Sequence, residues 1–147
     1  NLEDVKLHVV GSNMPQHVKE LASKNIVIEG YMDDVDLMTL YEKVRLSIVP
    51  LRYGAGVKGK VLEALNKGVP VVTTDIGAEG IPESQNCLII ENEANSFAKK
   101  IINVYERESE LALLSERGCI AIEKNFSRES VLKKIATDFW IDNENIF

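Results

Sequence analysis

The sequence predicts an α/β domain: a parallel β-sheet with helices on both faces. Three observations carry that reading. The strand candidates are short, continuous apolar runs, as befits strands buried on both faces. They alternate along the chain with segments whose apolar residues recur at helical spacing. One of them also runs into a glycine-rich loop that opens a helix, placing a ligand-sized gap beyond the carboxyl ends of the strands.

The elements follow in order. Val5 to Val10 reads as a strand ended by Gly11, and Pro15 starts a short helix with Val18, Leu21 and Ala22 on one face. Ile26 to Ile28 is the second strand, closed by Gly30. Asp33 or Asp34 caps a helix in which Leu37, Leu40, Tyr41 and Val44 recur. Leu46 to Val49 is the third strand, followed by the glycine loop and a helix from about Lys60 to Lys67, which Gly68 stops as a C′ glycine. Val69 to Thr74 makes a fourth strand and Cys87 to Ile90 a fifth. Beyond Glu91 the chain reads as helical, with stripes of Phe97, Ile101 and Tyr105, then Leu111, Leu114 and Gly118. Ser127 is placed as an N-cap, with Phe126 and Val131 as a hydrophobic staple and Val131, Ile135 and Phe139 as the last helix's apolar face.

With 147 residues, the chain is expected to form one domain spanning residues 1–147. A net charge of −6 leaves no broad basic face, which argues against nucleic acid as a partner. No apolar run is long enough to span a membrane, no signal peptide opens the chain, and the expectation is a cytoplasmic protein. Cys87 and Cys119 fit no zinc spacing and read as buried reduced thiols. His8, mid-strand, and His17, on a short helix, have no partner motif and read as structural. The apolar end, Trp140 to Phe147, reads either as an uncovered interface or as a frayed amphipathic tail.

The informative segment is the loop. Between Arg52 and Lys60 it holds Gly54, Gly56 and Gly59 with Arg52, Lys58 and Lys60, and the first acid after them is Glu63. Glycines let backbone approach a ligand, and the free N–H groups of a helix start favour an anion. A dinucleotide fingerprint also fits the spacing of the glycines, with Asp75 as ribose acid, but it needs its first glycine directly after the strand. Here Pro50 to Tyr53 intervene. A P-loop needs a Ser or Thr after its lysine, and this chain has Val61. The plain alternative is a strand-to-helix turn with solvated lysines, Glu63 pairing with Lys60 or Lys67. A nucleoside-diphosphate cradle accounts for more: Glu63 lies one turn inside the helix, where its oxygens suit the adjacent hydroxyls of a ribose.

The run from Pro50 to Leu65, together with Gly68 to Thr74 and Gly77-Ala78-Glu79-Gly80, resembles the C-terminal domain of GT-B glycosyltransferases, and more narrowly family 4, the retaining group 1 enzymes. Ile28 to Tyr31 and Phe126-Ser127 extend the resemblance over most of the chain. It implies a Rossmann-like domain that holds a nucleotide-sugar donor, no bound metal or other cofactor, and an N-terminal acceptor-binding domain as partner. Glu63 then falls on the second Glu of the family's E-x7-E motif, which grips the donor ribose. Arg52, Gly54, Ala55, Gly56, Val57, Lys58, Gly59 and Lys60 lie along the diphosphate and sugar, and Tyr31 and Met32 fall at the base pocket.

Two departures stand out. The first Glu of the motif is replaced by Ala55, leaving Lys58 or Lys60 to work on the phosphates. The family's opening strand and its diphosphate-binding Arg and Lys precede this chain's first residue. The expectation is therefore a fragment of a hexosyltransferase-type enzyme in polysaccharide assembly, inactive alone, any membrane contact being made by the missing parts of a peripheral parent enzyme. No catalytic residue is assigned. The rival readings are a non-catalytic nucleotide-binding module and a dinucleotide-dependent oxidoreductase domain.

Overall fold

A computed structural model describes residues 4–139. Five short strands, all paired in parallel, alternate with helices. The chain divides into two compact units, residues 1–43 and 44–147, and the strands pair within each of them.

In the first unit β1 (Leu7–Val10) pairs with β2 (Ile26–Gly30), Leu7 opposite Ile26, and a bulge follows Val9. His8 does have a partner: its Nδ1 lies 2.7 Å from Glu29 Oε1 on the neighbouring strand. The connecting helix α1 spans only Gln16–Lys19. It ends before Leu21, which is exposed rather than part of an apolar face. Asp33 caps α2 (Asp34–Tyr41), accepting from the Asp36 N–H at 2.9 Å. Leu37, Leu40 and Tyr41 form its half-buried side, and the helix stops before Val44. Among the described residues of this unit none is fully buried.

The second unit holds the core. β3 (Ser47–Val49), β4 (Val71–Thr73) and β5 (Leu88–Ile90) form a parallel sheet in that order. Val71 and Val72 are each 0% exposed, and neighbouring strand residues point to opposite faces, so the central strand is covered on both sides. On one side Val72 packs with Phe97 and Val104 of α5 (Ala94–Tyr105) and with Leu111 and Leu114 of α6 (Glu108–Phe126). The other buried helix is α3 (Gly59–Asn66), which turns Val61, Ala64 and Leu65 inward. Gly118 lets α6 approach it: a Cβ there would sit 2.9 Å from Leu65 Cδ2.

Helix α3 ends as its glycine predicts. Gly68 has φ +68°, its N–H reaches the Leu65 carbonyl, and the Val69 N–H reaches Ala64. Spending Val69 and Pro70 on that exit shortens β4 to Val71–Thr73. Ser127 caps α7 (Arg128–Phe139), accepting from the Ser130 N–H at 3.2 Å. The apolar face of α7 is a correction. Ala136 is buried and Leu132 half-buried, while Val131 and Ile135 are exposed, because residues 132 and 136 also lie one turn apart. Cys87 is buried, which pushes its thiol pKa up, but Cys119 is exposed, one position round α6 from the packed Gly118. The tail from residue 140 onward lies outside the described residues.

Candidate functional site

The glycine loop rises from the carboxyl end of β3 and is gripped from below by β4. The Thr73 hydroxyl donates to the Val49 carbonyl at 2.8 Å, and the Thr74 hydroxyl donates to Leu51 at 2.6 Å. Both threonines are buried, so the backbone leaving β3 is fixed before the loop begins. Gly54 (φ +136°) and Gly56 (φ +69°) then take conformations that side-chain-bearing residues rarely adopt, which turns the loop back on itself.

The loop folds around Lys58. A Cβ on Gly54 would lie 3.2 Å from Lys58 Cε, and Lys58 Nζ donates to the Gly56 carbonyl and, at 3.1 Å, to Glu79 Oε2. The Lys58 side chain is 9% exposed, the one deeply buried cation among the described residues. Arg52, Tyr53, Gly54, Ala55, Gly56, Val57, Gly59 and Lys60 are exposed. The two lysines of the loop thus separate: Lys58 is an internal strut, and Lys60 faces outward. Neither Lys60 nor Arg52 forms an ion pair among the described residues.

Helix α3 begins at Gly59 with no side chain capping it, so the first N–H groups of its N-terminus are open to a ligand. Glu63 is exposed and makes no ion pair with Lys60 or Lys67 among the described residues, which removes the structural role the plain reading gave it. Its carboxylate instead turns back toward the helix start: Oε1 lies 3.9 Å from where a Cβ on Gly59 would stand. Open N–H groups, two outward cations and one unpaired carboxylate therefore share the first turn of α3 and the loop before it.

Beside the loop stands a short helix that sequence patterning does not show, α4 (Asp75–Ala78). It is capped by the Thr74 hydroxyl, which accepts from the Gly77 N–H at 3.3 Å. Asp75, the ribose acid of the dinucleotide reading, is bound by Asn92: Nδ2 donates to Oδ2 at 2.5 Å, and the Asp75 N–H donates to the Asn92 side chain. Val61, where a P-loop would need a hydroxyl, is a fully buried core residue. In the first unit, Gly30 has φ +74°, and its carbonyl accepts from the Gly11 N–H at 2.8 Å. Tyr31 after it is 77% exposed and Met32 half-buried.

Parallel strands, a glycine loop at a strand's carboxyl end and an uncapped helix after it define a Rossmann-like α/β fold of the GT-B glycosyltransferase type. Residues 1–107 match the family described as Glycosyl transferases group 1, and the chain belongs to that family. It is 29% identical over 140 residues to an uncharacterized 44.6 kDa protein in the cps region of Klebsiella pneumoniae, covering 90% of this chain and 36% of that protein. Its fold is similar to that of TarM, with a TM-score of 0.76 at 23% identity over 93% of this chain and 29% of the other. A sucrose-phosphate synthase from Thermosynechococcus elongatus gives the same TM-score at 18% identity, covering 92% of this chain and 38% of that one. The chain thus spans about a third of the length of each of these proteins. Among the described residues no helix is long and apolar enough to cross a membrane.

Proposed function

We propose that this chain is the donor-binding half of a retaining glycosyltransferase that moves a hexose from a nucleoside-diphosphate sugar to an acceptor held by an N-terminal domain. The observation that carries the reading is the first turn of α3. There an uncapped N-terminus, the outward Lys60 and Arg52, and the unpaired Glu63 meet at a loop whose glycines leave room for a ligand.

The chemistry follows from that arrangement. The ribose hydroxyls donate to Glu63. The open N–H groups and Lys60, with Arg52 assisting, face the diphosphate, whose negative charge grows as the sugar–phosphate bond breaks. Fixed donors aimed at a developing charge are the strongest lever such a site has. Lys58 contributes through the shape of the loop. Tyr31 and Met32 are assigned to the nucleobase on the strength of the family resemblance. The reaction is proposed to need no metal, in the cytoplasm or at the cytoplasmic membrane surface, as a step of polysaccharide assembly.

A thermal-shift screen of the full-length protein with UDP, GDP, ADP, NAD and ATP, each with chelator or magnesium, tests the proposal. A ligand at a hundred times its dissociation constant stabilises by about 2.7 kcal/mol. Stabilisation by one nucleoside diphosphate in chelator is expected. Stabilisation by NAD alone, or a strict magnesium requirement, contradicts it. Nucleotide binding without sugar transfer would identify a non-catalytic binding module.

A further inference from the structure

We propose that Glu79 is a positioning residue for the donor site: its carboxylate holds Lys58 and so fixes the shape of the glycine loop that receives the diphosphate. The inference rests on the donor reading for its ligand, but its geometry stands by itself.

Glu79 sits on a rigid support. The Ile81 N–H donates to the Ala78 carbonyl at 3.2 Å, Glu79 has φ −55° and ψ 131°, and Gly80 has φ +76°. This is a type II turn with glycine at the position that requires positive φ. Ala78 and Ile81, on either side, are buried and anchor the turn in the core. Gly77 touches the same base: a Cβ there would overlap Thr73 Oγ1. The turn also abuts the glycine loop directly, since a Cβ on Gly80 would lie 2.6 Å from Val57 Cγ2.

The loop has no comparable internal support. Its glycines contribute no side-chain packing, and Val57 and Ala55 are exposed. What fills its concave side is the Lys58 stem, and a buried ammonium needs a counter-charge to stay there. Glu79 supplies it, and the Gly56 carbonyl takes a second N–H of the same ammonium. The order of dependence runs from the anchored turn to Lys58 to the loop. With two of its N–H groups held and its charge matched, Lys58 acts on the diphosphate through the backbone it shapes. Lys60 is left to meet the ligand directly.

The test uses the full-length protein and the variants Glu79→Ala, Glu79→Gln, Lys58→Met and the Glu79→Ala/Lys58→Met pair. Hydrogen exchange is followed in residues 54–59 and, as a fold control, in β5. UDP, GDP and ADP affinities are measured in parallel. Glu79→Ala is expected to speed exchange of the loop amides and to weaken nucleotide affinity about tenfold, as for loss of a charge-assisted hydrogen bond, with β5 unchanged. Lys58→Met should match it, the pair should be no worse than either single change, and Glu79→Gln should fall between. Loop exchange unchanged in Glu79→Ala and Glu79→Gln overturns the proposal. So does an affinity that rises in Glu79→Ala but falls in Lys58→Met, because a freed Lys58 would then be binding the diphosphate itself. If none of the three nucleotides binds the wild-type protein, the donor reading fails, and the exchange measurement still decides whether Glu79 fixes the loop.

Discussion

Residues 4–43 and 44–139 are built from the same local grammar, with short parallel strands, glycine exits and a helix after each strand, yet only the second has a buried core. The difference shows in two loops, the turn at Gly30 and the glycine loop after β3. The turn at Gly30 leaves a two-stranded sheet, and Tyr31 extends into solvent from it. The glycine loop leaves a central sheet whose next strand is covered on both faces, and Thr73, Thr74 and Lys58 hold it from beneath. An exposed loop can be precise when the atoms under it are buried and paired. The glycine loop is therefore the more firmly held of the two, and the turn at Gly30 the less constrained.

That contrast can be broken by mutation. Leu65→Ala, which empties a site sealed by α6, is expected to cost about 3 to 4 kcal/mol in chemical denaturation, and Leu37→Ala on the half-buried side of α2 less than half of that. Equal costs would mean that the two units are equally well packed. Thr73→Val removes the hydroxyl under the loop and leaves the Val49 carbonyl without that donor. It should cost about 1 to 2 kcal/mol and loosen nucleotide binding, read by denaturation and titration together.

The smallest effect concerns α5. The Asn95 and Ser96 N–H groups, donating to the Glu93 carboxylate, hold its pKa below the ordinary glutamate value. A folded pKa lower than the unfolded one means stability that is present above the unfolded value and lost as pH falls through the folded one. Glu93→Gln should therefore lower the melting temperature slightly at neutral pH and flatten its fall on acidification. An unchanged acid limb would show that the cap contributes nothing.

Much of this organisation was legible in the residues, and the exceptions are instructive. Gly68, Asp33 and Ser127 signal their helix ends because each acts on backbone within a few positions. The α7 face was not legible: Val131, Leu132, Ile135 and Ala136 offer two apolar rows one turn apart, and only packing against α6 selects the second. Cys119 stands next to the packed Gly118 at the rim of the α3–α6 contact, so the residue is exposed although its Sγ donates to the Leu65 carbonyl. At the candidate site, the spacing of Gly54, Gly56, Gly59 and Glu63 drew attention to this loop, but it could not tell Lys58 from Lys60. Lys58 alone is bound by Glu79, twenty-one residues along the chain from it. The signal that would have found it is the Glu79-Gly80 pair, a type II turn signature directly after a capped helical turn.

The first turn of α3 and its loop are proposed to hold a nucleoside diphosphate through its ribose and phosphates. The most direct measurement is calorimetric titration of UDP, GDP and ADP, in chelator, into the full-length wild-type protein and its Glu63→Ala and Lys67→Ala variants. One nucleotide is expected to bind, with Glu63→Ala weakening it by about tenfold or more through the lost ribose hydrogen bonds and Lys67→Ala leaving it unchanged. Equal losses from the two substitutions, or wild-type affinity in Glu63→Ala, would contradict the proposal.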